Sequence, residues 1–179
     1  MSSVLNLPVV RFLDTLAIVA KEGKHLAYSW NGLFAQGIDA QWVQQLEMHP
    51  DRAEQLDAYV SRFGRMQDTT ADKLLPRWLL ALAERPGSQI ETLNLAERLG
   101  VLTSTEKWLE ARNLRNRLVH EYITNPASFA EDLLLAKEYS VMLIETFNRI
   151  RQDALTRMGH KPESLPEALP ILMPVFFES

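Results

Sequence analysis

Residues 112–122 read RNLRNRLVHEY and place three arginines, two asparagines, a histidine and a tyrosine in one helical run. Arginine is permanently charged, and its planar guanidinium matches the geometry of a phosphate. Histidine is the side chain that most easily gives and takes a proton near neutral pH. The segment therefore holds a minimal set of groups for binding and cleaving a phosphodiester. Taken alone, however, the residues favour a plainer interpretation, a solvated basic helix face with one histidine satisfied among packed helices.

The spacing within this segment resembles the signature of HEPN-domain proteins, in particular the HepT toxin branch. Arg115, His120 and Tyr122 follow the pattern Arg-x4-His-x-Tyr, and the polar Asn116 directly after the arginine belongs to it. Upstream, residues 62–68 (RFGRMQD) and residues 73–76 (KLLP) resemble a subgroup of HepT-like proteins. The resemblance covers about residues 51–158. It implies an all-α fold, an antiparallel bundle of four or five main helices, that forms a symmetric homodimer.

Helical spacing of apolar residues and turn signals independently predict an all-α chain. A helix begins near Pro8, and its continuation past Lys21–Lys24 and Gly23 stays open. A second long helix from Asp51 runs through Pro76, which lacks an N–H and should kink it rather than end it, and Pro86 and Gly87 end this helix. Further helices are expected at residues 38–48, 90–99, 103–123 and 128–158. The expected buried side of the last helix consists of Leu133, Leu134, Met142, Leu143, Phe147 and Ile150.

The chain is expected to form one domain over residues 1–158, with N-terminal helices in residues 1–50 and a tail in residues 159–179. The tail contains four prolines and an apolar cluster from Ile171 to Phe177, so it cannot be a regular helix throughout. It should pack in extended form on its own bundle or on a neighbouring subunit.

Composition and charge narrow the possible functions. The formal net charge of -4 argues against a protein that coats nucleic acid, so any contact with RNA must use a local basic patch. The absence of cysteine excludes disulfides and thiolate zinc sites. The sequence offers no glycine-rich phosphate loop followed by lysine and no paired metal-binding histidines, so neither a cofactor nor a metal is expected. Without a long apolar run or a signal peptide, we expect a cytoplasmic protein with no membrane partner.

The helical geometry of the motif sets a chemical problem. Arg115 and His120 lie five positions apart and so point about 140° apart, whereas Asn116 and His120 share a face. Arg112 borders that surface, and Arg117 extends the basic patch. Cleavage of RNA without a metal needs a base at the 2′ hydroxyl and an acid at the leaving 5′ oxygen, on opposite sides of the phosphorus. One histidine cannot easily serve both places.

The HEPN resemblance implies a solution, because these proteins dimerise with their motifs facing each other. One copy of His120 would act as base and the second as acid, while Arg115 stabilises the transition state and Asn116 orients the phosphate or the imidazole. Arg112 and Arg117 would bind the RNA, and the products would carry a 2′,3′-cyclic phosphate and a 5′ hydroxyl. In the HepT family the tyrosine that matches Tyr122 is adenylylated by an MntA-type nucleotidyltransferase antitoxin. Taken alone, Tyr122 also fits an amphipathic tyrosine at a helix end.

Two questions stay open at this stage. Arg65 and Asp68 in the upstream run either line the same cleft as the motif or form an intrahelical charge pair. The function is either an endoribonuclease toxin or the non-catalytic, substrate-binding helical subunit of a minimal nucleotidyltransferase. A third interpretation is a helical scaffold dimer with a degenerate motif.

Overall fold

The computed structural model describes residues 6–120 and 124–173, apart from the side chain of His120. Within these ranges the chain is helical with connecting turns and contains no strand, which confirms the predicted all-α class. The helices are α1 (Leu7–Phe34), α2 (Ala40–Gln44), α3 (Pro50–Thr69), α4 (Leu75–Ala81), α5 (Gln89–Arg98), α6 (Thr105–His120) and α7 (Pro126–Thr156). None of the helices described is long and apolar enough to cross a membrane.

Helix α1 is continuous, which answers the question left open at Gly23. Pro8 lies in its first turn, where the missing N–H costs nothing. Gly23 is buried inside the helix, and a Cβ at this position would overlap the side chain of Leu169 from the C-terminal tail. The glycine is therefore explained by a close tertiary contact and not by a break in the helix.

Helices α3 and α4 form one continuous helical segment, as predicted for a helix that passes through Pro76. A π-helical turn at Thr70–Leu74 joins them, and the N–H of Leu75 donates to the carbonyl of Thr70, five residues back. Proline cannot donate to the residue four positions earlier, and its ring collides with that carbonyl in a regular helix. The wider turn accommodates this proline. The segment ends at Ala81, which is earlier than the predicted end at Pro86 and Gly87.

The apolar side chains meet in a single core cluster to which α1, α3, α4, α6 and α7 all contribute. Helix α1 packs against α3, α4 and α7, while α6 packs against α3 and α7. Two buried hydrogen bonds connect the inner faces, from Trp78 Nε1 to Asp153 Oδ2 at 2.8 Å and between the hydroxyls of Tyr59 and Ser140 at 2.7 Å. Leu134, expected on the buried side of α7, is exposed instead.

The tail packs on its own chain over residues 160–173, and a short 3-10 turn at Pro162–Ser164 interrupts its extended course. Asn148 on α7 holds the backbone of Leu169 twice, donating to its carbonyl at 3.0 Å and accepting from its N–H at 2.8 Å. Arg151 donates to the carbonyl of Pro166 at 2.7 Å. The buried side chains of this segment are Leu165, Leu169 and Leu172. Ile171 is exposed, and the part of the predicted apolar cluster from residue 174 onward lies outside the described residues.

Candidate functional site

Helix α6 presents Arg112, Arg115 and Asn116 because its other face is packed in the core. Ser104 caps the helix by accepting from the N–H of Lys107 at 3.2 Å, so α6 begins at Thr105, two residues after the predicted start. The inward positions follow helical spacing and are filled by Trp108, Ala111, Leu114 and Leu118. This pattern leaves Arg112 and Asn116 exposed and puts Arg115 at the edge of the buried stripe, facing α3.

Arg115 crosses from α6 to α3, where two residues fix its position. Its Nη2 lies 3.0 Å from Oδ2 of Asp68. Its guanidinium rests on Gly64, where a Cβ would come within 2.6 Å of Nε. The two side chains of the ion pair are 33% and 49% exposed, and pairs at this exposure contribute only about 0–1 kcal/mol to stability. The contact therefore orients the guanidinium more than it stabilises the fold.

A cleft of about 530 Å³ lies beside this pair, between α3, α6 and the start of α7. Its apolar lining comes from Leu56, Val60, Leu118, Val119 and Phe129. Its charged lining comes from Asp57, Arg65, Asp68 and Arg115. Both Arg65 and Asp68 thus line the same cleft as the motif arginine, and Asp68 forms its ion pair with α6 and not with Arg65. Among the described residues, two positive and two negative side chains make the cleft electrostatically mixed.

A second cavity, of about 140 Å³, lies on the other side of the same ion pair, because Asp68 and Arg115 line both spaces. Arg112 donates to Oε1 of Gln89, and Nε2 of Gln89 donates to Oδ1 of Asp72 at 2.6 Å. Asn116 also lines this cavity, together with the buried Gln67 and Trp108. The motif residues that the structure describes are therefore distributed over two adjoining spaces.

Arg117 points away from both cavities and towards α7. Its Nε and Nη2 donate to the two carboxylate oxygens of Asp132 at 3.1 and 3.0 Å. This bidentate arrangement is the geometry in which arginine and carboxylate bind most specifically. This contact could not be predicted from the sequence, because Asp132 belongs to another helix. A role for Arg117 in binding RNA stays a prediction and requires this pair to open.

His120 and Tyr122 belong to the predicted motif, but their side chains lie outside the part of the chain that the structure describes. His120 is the last described residue of α6, and its side chain lies outside the described part, as do residues 121–123 with Tyr122. Since α6 is helical as far as His120, its position is still about 140° around the helix from Arg115. The predicted catalytic and modification roles of these two residues remain predictions.

Glu22 of α1 is a neighbour of the cleft that the sequence analysis did not identify. Its Oε1 accepts from the hydroxyl of Thr69 at 2.9 Å, while its Oε2 is buried and makes no hydrogen bond with any described residue. Burial raises the pKa of the Glu22 carboxyl, and the hydrogen bond from Thr69 and the positive charge of Arg65 oppose this shift. Its spacing from Val19 and Leu26 puts Glu22 on the apolar stripe of α1. This spacing is visible in the sequence alone and could have identified Glu22 as a partly buried carboxylate.

No family model matches the chain, and no curated protein and no solved structure is similar enough to count as a match. Among the side chains described, no three potential ligands come together as a metal-binding group. A function must therefore be inferred from the residues and from the geometry of the α3 and α6 surface.

Proposed function

We propose that this chain is a HepT-like, metal-independent endoribonuclease with an antiparallel HEPN-like bundle of four or five main helices, acting as a cytoplasmic homodimer. The observation that supports the proposal is the position of Arg115. It is the arginine of the Arg-x4-His-x-Tyr pattern, and Asp68 and Gly64 hold it over an open cleft. An arginine oriented in this way is prepared to meet a phosphate that is gaining negative charge.

In the proposed reaction one His120 removes the proton from the ribose 2′ hydroxyl, and that oxygen attacks the phosphorus. The bond from phosphorus to the 5′ oxygen breaks, and His120 of the partner subunit protonates the leaving oxygen. Arg115 stabilises the added negative charge, Asn116 orients the phosphate, and Arg112 and Arg117 hold neighbouring phosphates. The reaction yields a 2′,3′-cyclic phosphate and a 5′ hydroxyl and consumes no metal or cofactor.

Regulation follows from the same surface. We propose that a partner nucleotidyltransferase of the MntA type adenylylates Tyr122, two residues beyond His120. Each AMP adds a negative phosphodiester and a base, which would compete with RNA for Arg112 and Arg115. The mass of the intact protein after incubation with ATP, a divalent metal and the transferase reports the modification, and Tyr122→Phe should prevent it.

The test is a cleavage assay on single-stranded RNA with the purified full-length chain. His120→Ala and Arg115→Ala should each lower the rate by roughly a hundred- to ten-thousand-fold, as is typical when an acid–base or charge-stabilising group is lost. EDTA should leave the rate unchanged. His25→Ala and Arg85→Ala are matched controls, since both positions are exposed and neither lines the cleft. Full activity in His120→Ala would overturn the mechanism, and a monomer by light scattering would remove the two-histidine site.

The second candidate is the non-catalytic helical subunit of a minimal nucleotidyltransferase, which would present a substrate to its partner. The mixed charge of the cleft favours it, because two of the four charged lining residues are carboxylates that repel a polyanion. Expression of the chain alone separates the two functions. Growth arrest that depends on His120 supports the ribonuclease, and unimpaired growth together with an inactive purified protein supports the binding subunit.

A further inference from the structure

The smaller cavity contains a buried polar group that none of the described residues satisfies. Gln67 on α3 is only 2% exposed, and neither its Nε2 nor its Oε1 makes a hydrogen bond with a described residue. Buried amides nearly always have partners, and an unpartnered one is destabilising. Gln67 lines the cavity between α3, α5 and α6. An amide in this position is suited to a ligand that offers a donor and an acceptor side by side.

The charges around the cavity are balanced and already engaged with one another. Arg115 pairs with Asp68, and Gln89 links Arg112 to Asp72. A free phosphate or a free cation would therefore meet as much repulsion as attraction. A neutral planar group with hydrogen-bonding edges avoids this difficulty, and the guanidinium planes of two arginines offer surfaces on which it can stack.

The size and position of the cavity limit the kind of ligand that it can bind. Its volume of about 140 Å³ is far more than one water needs and well below the ~300–1,000 Å³ of sites for drug-sized ligands. It adjoins the larger cleft through the shared Arg115 and Asp68. A polymeric ligand whose phosphate contacts Arg115 could therefore place one group attached next to that phosphate in the neighbouring cavity.

We propose that this cavity binds a single unstacked nucleobase of single-stranded RNA, with Gln67 reading its edge. The inference rests on the proposed function, because it takes RNA as the ligand of the adjoining cleft. Adenine suits the amide, since Oε1 accepts from the N6 amino group while Nε2 donates to N7. Gln67 is then the residue that determines base preference, and Arg115 contacts the backbone without reading sequence.

The experiment compares two fluorescent single-stranded oligoribonucleotides, one of uridine alone and one with a single central adenosine, by fluorescence polarisation. Wild type should bind the adenosine-containing strand about fivefold or more tightly, as expected for one bidentate amide–base contact. Gln67→Met should abolish this preference by weakening binding of the adenosine-containing strand to the level of the all-uridine strand. Arg115→Ala should weaken binding of both strands.

Controls keep the result interpretable. Gln55→Met makes the same chemical change on α3, outside both cavities, and should retain the preference. Gln89→Ala alters the cavity wall at the exposed start of α5, away from the core, and should reduce the preference. Gln67→Met should melt no lower than wild type, because it removes an unpartnered buried amide. A lower melting temperature would show a structural role for Gln67 and contradict the inference.

The inference and the proposed function fail in different measurements. If the protein cleaves RNA but binds both strands equally, or if Gln67→Met keeps the preference, the base site is wrong and the ribonuclease stands. If a preference dependent on Gln67 is found in a protein that does not cleave, the base site stands and the ribonuclease is wrong. If wild type binds neither strand, both are overturned.

Discussion

Replacing Gly64 by alanine tests whether the position of Arg115 matters more than its presence. The new Cβ would lie 2.6 Å from Nε and 3.2 Å from both Cζ and Nη2 of Arg115, whereas ordinary contacts begin at 3.4 Å. The guanidinium must therefore move by roughly 1 Å, and the ion pair with Asp68 at 3.0 Å must lengthen or break. A displacement of about 1 Å in a catalytic site can cost ~100-fold in rate.

The stability of the same variant should change little. Alanine is favoured over glycine in a helix interior by about 1 kcal/mol. Loss of a partly exposed ion pair costs about 0–1 kcal/mol. The two effects nearly cancel, so the melting temperature should stay within about 4 °C of wild type, using ~2–4 °C per kcal/mol for a chain of this size. Gly64→Ala should therefore retain the fold and lose cleavage activity by about ten- to a hundredfold.

The assay pairs initial rates of RNA cleavage with thermal melting followed by circular dichroism. Gly32→Ala on α1 is the matched control, because its Cβ would meet only the flexible end of Gln55, at 2.9 Å from Nε2. It should gain stability from the helix propensity of alanine and keep full activity. Unchanged activity in Gly64→Ala would refute the argument that Gly64 fixes Arg115, and a large fall in melting temperature would show a packing role for Gly64 instead.

Two further predictions concern stability as a function of pH. Burial raises the pKa of Glu22 in the folded state. The contribution of this carboxyl to stability is therefore fully present below the unfolded pKa of 4.5 and is lost as pH rises through the folded pKa. Glu22→Gln should thus be more stable than wild type to urea at neutral pH, with an advantage that vanishes under acid; an equal advantage at both pH values would contradict this cause. Burial, followed by the hydrogen bond to Glu110, raises the pKa of Tyr139 from 10.0 to about 12. The contribution of Tyr139 to stability is intact below pH 10 and is lost between pH 10 and 12. The free energy of unfolding in urea should therefore decline less steeply over that range for Tyr139→Phe than for wild type. An identical decline would refute the assignment.

The all-α class could be predicted from the sequence because it follows from local patterns. Apolar spacing and Pro76 together anticipated the continuous segment of α3 and α4, although not its π-helical turn. The continuity of α1 could not be predicted, because Gly23 is explained only by its contact with Leu169, which is remote in sequence. Leu134 shows the same limit, since a leucine in an apolar run gives no sign of which way a helix faces.

For the candidate site, too, some features could be predicted from the sequence and others could not. Arg65 and Asp68 both line the cleft. This was one of the two alternatives that their place in the upstream run left open. The pairing of Arg115 with Asp68 depends on how α6 sits on α3, and that is a tertiary property. The sequence assigned Arg117 the same RNA-binding role as Arg112, yet its bidentate contact with Asp132 separates the two arginines.

The ion pair of Arg115 and Asp68 would leave a negative charge beside any phosphate that Arg115 binds. Asp68 contacts only Nη2 of Arg115, so a phosphate bound to the remaining N–H groups would lie next to the Asp68 carboxylate. If the chain binds RNA as proposed, the arginine would neutralise less than one full phosphate charge, and fewer counterions would leave the RNA. The affinity for single-stranded RNA should accordingly fall with ionic strength less steeply than the ~0.7 logarithmic units per contact expected for unpaired cations. Bound RNA would then be released at higher salt concentrations than from a basic patch of unpaired cations.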